Sequence, residues 1–131
     1  MLGEAVTVWL LSGIGVYASA VMFGKARRAA RGQLTEPSVV QTPAARAIGG
    51  VSNAAFGLVY YPLVAVGATI GRTLPAAAWT TLAAATLAAV FSAYLAYSLL
   101  FRTRRACPFC WTGHACNWAL WCLSLHLALT R

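Results

Sequence analysis

The 131-residue chain has little charge: Asp, Glu, Lys and Arg together make 9% of it, against 60% hydrophobic residues. A water-soluble domain carries roughly a quarter charged residues, so a soluble fold is excluded. Charge is missing altogether from four stretches, residues 5–24, 47–71, 73–101 and 106–130. About 20 apolar residues cross a bilayer, so each is long enough. The chain also lacks a basic segment ahead of its first apolar run. Glu4 is the only early charge, and Lys25, Arg27 and Arg28 follow the run, which reads as a retained anchor rather than a cleaved leader. There is no internal repeat, no low-complexity tract and no sign of a second domain. The fold class expected is an all-α membrane protein, one four-transmembrane-helix bundle spanning 1–131, with helices near residues 5–23, 48–71, 76–101 and 107–129.

What charge there is lies between the spans. The formal net charge is +8, but Lys and Arg in loops orient membrane proteins, so nucleic acid is not a partner. Lys25, Arg27, Arg28, Arg31, Arg46, Arg102, Arg104 and Arg105 fall in the first and third loops; Arg72 and Arg131 fall on the other side. The positive-inside rule places the first face in the cytoplasm of a multi-pass cell-membrane protein. Residues 25–31 are basic and Ala-rich and extend the first helix along the membrane surface; residues 32–43, with Pro37 and Pro43, read as irregular. Pro62 is expected to kink or loosen the second helix. Gly13 and Gly15, and the Gly67/Gly71 pair, permit close helix packing.

Four cysteines are present, and they are not equivalent. Cys107-Pro108-Phe109-Cys110 opens the last apolar stretch directly after a run of arginines. Such a pair is a two-electron redox device or half of a metal site. No second Cys or His pair stands at ligand spacing, which argues against metal, and Trp111 occupies the place where haem attachment needs His. A helix N-terminus and the cations Arg104 and Arg105 favour a reactive thiolate there. Pro108 suits a first helical turn, where its missing N–H is no loss. At 100° per residue, Cys107, Cys110, His114 and Asn117 share an arc of about 80°. His114 can therefore offer a hydrogen bond to a quinone oxygen one turn below Cys110, and polar groups inside a span are functional by default. Cys116 and Cys122 point elsewhere and read as packing residues. His126, near the far end, reads as interfacial.

Two segments then resemble the vitamin K epoxide reductase family. One is Cys107-Pro108-Phe109-Cys110-Trp111-Thr112-Gly113-His114-Ala115-Cys116-Asn117; the other is Ser52-Asn53-Ala54-Ala55-Phe56-Gly57-Leu58-Val59-Tyr60-Tyr61, with Thr42-Pro43-Ala44-Ala45-Arg46 ahead of it. The resemblance covers the whole chain. It implies a quinone-dependent thiol oxidoreductase supporting disulfide formation. In it Cys107 exchanges disulfides with a thioredoxin-like or other protein dithiol donor, and Cys110 reduces a membrane quinone of ubiquinone or menaquinone type. It assigns Asn53 and His114 to the two quinone carbonyls, and Phe56 and Tyr61 to the pocket wall; Asn117 joins the quinone site through its helical face. No metal is implied. Two departures stand out: the first loop has none of the family's relay cysteines, Glu36 lying about where one would be, and no thioredoxin-like domain is fused. Most members also face the opposite way, into an oxidising compartment. The competing reading is a degenerate relative serving as a structural subunit; a metal or small-molecule transporter is weaker still.

Overall fold

The computed structural model describes residues 2–35, 38–46 and 48–130. Glu36, Pro37 and Arg131, which entered the sequence reading, lie outside the described residues. Four helices carry the fold: α1 Leu2–Ala30, α2 Asn53–Gly71, α3 Pro75–Ser98 and α4 Pro108–Leu129. Among the described residues there is no strand, only an isolated bridge between Ile48 and Val51. The helices pack as a ring in chain order, with α4 returning to α1 and a lighter contact across the α2–α4 diagonal.

Three of the helices are long and apolar enough to cross a membrane: α1, α2, and α3 with its extension to Thr103. The fourth has the length, 22 residues without a charge. Its apolarity is diluted by Thr112, His114, Asn117, Ser124 and His126, several of which turn inward: His114, Asn117 and Ser124 are buried.

The helix boundaries follow expectation in one place and differ from it in two. The segment 25–30 extends α1, as expected, and does so without a break; Ala, Lys and Arg are good helix formers, and nothing interrupts them before Gly32, at φ 68°. The second helix starts at Asn53 rather than 48, because Gly49 and Gly50 adopt φ of 59° and 75°, a left-handed turn that glycine enters freely. The loop before it is not wholly irregular: it holds short 3₁₀ turns at Val39–Gln41 and Pro43–Arg46. In its middle α2 runs through Pro62 as helix, and α3 passes into a π turn, Leu99–Thr103, closed by Arg104 at φ 52°.

Close approaches fix the pairing. A Cβ at Gly15 would fall on the Tyr61 ring, one at Gly57 on Ser19, and one at Gly71 within 2.9 Å of the Ala78 backbone. Gly15 and Gly71 thus carry the contacts their sequence context suggested; Gly13 faces open space. The apolar core gathers Val8, Tyr61, Val64, Ala68, Cys116 and Leu120. It fills the half of the bundle away from the Cys-x-x-Cys motif.

Cross-helix contacts also set the heights. Glu4 meets His126 at 3.1 Å, while Tyr17 and Lys25 both reach Phe109. At 1.5 Å per residue this puts the start of α4 level with about residue 22 of α1, so α1 runs on for about 12 Å beyond it. On the other side Trp121 donates to Thr86 and Trp118 to the Ala89 carbonyl. Extending that register places Pro108 level with Leu99, and the π turn stands beyond it. The start of α4 is recessed between two taller helix ends.

Candidate functional site

The recess holds the disulfide. Cys107 is the residue that caps α4, its Sγ accepting the Cys110 backbone N–H at 3.3 Å, and Pro108 is the first helical residue. Cys107 and Cys110 are bonded to each other with Cα atoms 5.2 Å apart. One helical turn suffices to bring two side chains three residues apart together. The two ends of the bond have different surroundings. Cys107 is 6% exposed and contributes nothing to the cavity described next; Cys110 is on that cavity's wall.

The cavity measures about 510 Å³ and occupies the half of the bundle that the core leaves open. That is the range of pockets which engulf small organic ligands. Every helix lines it, as do Val39, Ala44, Ala45 and Ile48 of the loop folded over its end. Its wall is mostly apolar. Of the site residues read from the sequence, Cys110, Asn53, Phe56, Tyr61, His114 and Asn117 all lie on this one cavity; Cys107 alone is set back behind the wall.

Their individual contacts separate them. Asn53 donates from Nδ2 to the Ala44 carbonyl at 2.6 Å, tying the loop to the first turn of α2, while its Oδ1 is buried without a partner. Asn117 donates from Nδ2 to Ser92 Oγ at 2.7 Å and to the Ala88 carbonyl at 3.3 Å, and its Oδ1 likewise has no partner. It is a tie between α3 and α4 as well as a wall residue. His114 is buried, lying between Trp111 and Trp118 with ring centroids 6.0 Å from each. Tyr61 is committed elsewhere: its hydroxyl donates to the Gly113 carbonyl at 2.7 Å and its ring fills the space at Gly15. Phe56 is 41% exposed and stands at the outer edge of the cavity.

Sequence reasoning undervalued Tyr60 and Ser92. Tyr60 lines the cavity, and its hydroxyl is buried with no partner; standing seven residues after Asn53 on α2, it shares that residue's face, and this was the available signal. Ser92, one of several hydroxyls along the Ala-rich α3, gave no signal of its own because its partner is on α4. Cys116 sits in the apolar core, and Cys122 is free and exposed. His126 pairs with Glu4 at the opposite end. Among the described residues no group of His, Cys, Asp and Glu is arranged to hold a metal ion.

The arrangement is an oxidised thiol pair opening, through one of its sulfurs, onto an apolar chamber edged by unpaired polar atoms. Asn53 Oδ1, Asn117 Oδ1 and Tyr60 Oη each forgo a hydrogen bond, which costs about 1–3 kcal/mol apiece unless something in the chamber supplies it. The two amide oxygens can only accept a hydrogen bond, while the Tyr60 hydroxyl can donate one. Residues 6–125 match the vitamin K epoxide reductase family. No curated protein matches the chain.

Proposed function

The chain belongs to the vitamin K epoxide reductase family, and from that premise we propose that it is a quinone-dependent thiol oxidoreductase of the membrane. In this reading a protein dithiol reduces the Cys107–Cys110 disulfide, and the reduced pair passes two electrons to a membrane quinone. The observation that carries it is the split environment of the pair: Cys110 on the chamber wall, Cys107 behind it. Such an arrangement keeps the donor and the acceptor on different sulfurs.

Cys107, as the capping residue, takes the incoming thiol; Cys110, released as thiolate, faces the chamber. The first turn of α4 aims the Cys110 backbone N–H at Cys107 Sγ, the sulfur that takes the incoming thiol. A quinone, when bound, accepts two electrons and two protons. His114 and Asn53 orient its rim oxygens, Tyr60 and Asn117 complete the polar edge, and Phe56 and Tyr61 belong to the apolar wall. Tyr61 acts chiefly by holding the turn that carries Gly113, three residues after Cys110.

The test is reduction of a soluble quinone by the purified protein with dithiothreitol as donor. Turnover that vanishes in Cys110→Ala supports the mechanism; turnover retained in Cys110→Ala refutes it. A second reading, a membrane subunit that kept the fold and lost the relay, draws on two observations: residues 24–52 contain no cysteine, and Cys107 is shielded. Absence of any thiol oxidation, with stoichiometric partners on purification, would establish it. Sidedness follows from the cations: the disulfide end is assigned to the cytoplasm, and impermeant thiol reagents that label Cys107 from outside intact cells would reverse the assignment.

A further inference from the structure

The overhanging helix ends give the disulfide a collar, and the collar is charged. The last turns of α1 carry Lys25, Arg27 and Arg28, with Arg31 just after them; the π turn and the link to α4 carry Arg102, Arg104 and Arg105. Lys25 lies 5.5 Å over the ring of Phe109, between the two cysteines. Arg28, Arg31, Arg102 and Arg105 are exposed, and their side chains have no partner among the described residues. Of the two acidic residues, Glu4 is at the opposite end, bound to His126, and Glu36 lies outside the described residues. The collar therefore presents cations without described counter-charges.

The height of its α1 part argues against a purely lipid role. The 22 residues of α4 span about 33 Å, matching a hydrocarbon core of about 30 Å, and the headgroup layer adds roughly 6 Å per side. An α1 overhang of about 12 Å carries Arg28 and Arg31 past that layer into water. Charges there act on something soluble that comes down onto the end of the bundle. Cys107, 6% exposed, lies in the recess they surround, so a protein reaching it must dock in a defined orientation.

We propose that this collar is the docking surface for the thiol donor, and that the donor is a soluble dithiol protein whose face around its reactive cysteine is acidic. This rests on the proposed exchange at Cys107. The donor thiolate attacks Cys107 Sγ; the Cys107–Cys110 bond breaks and Cys110 leaves as thiolate. The donor's second thiol, losing its proton, then attacks its own first sulfur, breaking the mixed disulfide and freeing Cys107 as thiolate. The donor ends oxidised by two electrons, and the two thiol protons pass to the reduced pair.

Reduction of the disulfide in the full-length protein, followed by thiol trapping without any quinone, tests this. Two donors are compared: a reduced thioredoxin-fold protein with an acidic surface, and dithiothreitol, which has no charge beyond its attacking thiolate. Complementary charge raises encounter rates and salt screens it. The rate constant for the acidic donor should fall about tenfold between roughly 20 and 300 mM salt, and about tenfold in Arg28→Glu/Arg31→Glu at low salt. Dithiothreitol should change less than about twofold in both, which also reports that the variant is folded. Equal responses of the two donors overturn the proposal, as does a salt effect seen only in nanodiscs of anionic lipid, which would mean the cations read headgroups. Failure of dithiothreitol to reduce the pair overturns the exchange at Cys107, and the docking role with it.

Discussion

Two glycines two residues apart in α1, and so on nearly opposite faces of it, make opposite predictions for the same substitution. Alanine is the better helix former by about 1 kcal/mol, and that gain applies equally at Gly13 and Gly15. At Gly13 the new methyl meets nothing, so Gly13→Ala should be neutral or stabilising by up to about 1 kcal/mol. At Gly15 the methyl lands on the Tyr61 ring. That ring cannot step aside cheaply, because Tyr61 is 4% exposed and its hydroxyl holds the Gly113 carbonyl. Overpacking of this kind costs about 1–3 kcal/mol, so the two variants should differ by about that amount. Reversible unfolding in mixed micelles measures it. Because Gly113 follows Cys110 by three residues, Gly15→Ala should also slow dithiothreitol-driven quinone reduction, while Gly13→Ala leaves it unchanged. Adding Tyr61→Leu should relieve the clash and recover at least 1 kcal/mol relative to the sum of the single changes, a coupling read from a double-mutant cycle. Equal stability of Gly13→Ala and Gly15→Ala within about 0.5 kcal/mol would refute the proposed packing.

Three further outcomes follow from the site and its supports. Ser92→Ala removes the stronger of the two bonds made by the buried Asn117 amide and should cost about 1–2 kcal/mol by micelle unfolding; a neutral result would mean that Asn117 does not tie α3 to α4. Arg104 holds φ 52°, a conformation that costs a side chain about 1–2 kcal/mol and glycine little. Arg104→Gly should therefore raise thermal stability, and a lower midpoint would show that the guanidinium bond to the Phe101 carbonyl outweighs the backbone cost. His114→Ala should raise the quinone KM about tenfold, the loss of one hydrogen bond to a bound oxygen, yet leave the rate at which dithiothreitol reduces the disulfide unchanged. An equal loss in both assays would place His114 in the thiol step instead.

The helices were legible because absence of charge over 20 residues is a strong signal and needs no partner. The face of α4 was legible for the same reason: Cys107, Cys110, His114 and Asn117 belong to one helix, and periodicity alone groups them. Asn53 came from resemblance, since nothing in α2 by itself says that its start faces α4. What stayed hidden depends on pairs between helices. The Asn117–Ser92 bond joins residues 25 apart in sequence. The commitment of Tyr61 to Gly113 and Gly15 makes a predicted wall residue mainly a structural one, and the unpaired hydroxyl that edges the cavity belongs to its neighbour Tyr60. The start of α2 was placed five residues early because Ile48 and Val51 are as apolar as the helix they precede, and only the backbone angles of Gly49 and Gly50 reveal the turn. The reach of α1 was legible because Ala, Lys and Arg keep a high helix propensity beyond the apolar stretch.

The bundle is solid at one end and hollow at the other, and this makes occupancy measurable without any redox chemistry. A ligand that fills the chamber binds the folded state alone, so it adds stability that grows with its concentration, about 2.7 kcal/mol at a hundred times its Kd. The gain should be local: amide exchange should slow in the first turns of α2 and α4 and in the loop over the chamber, while the packed end around Leu120 stays as it was. Melting temperature against quinone concentration would then rank ligands by ring size and rim oxygens, even for a variant that has lost Cys110.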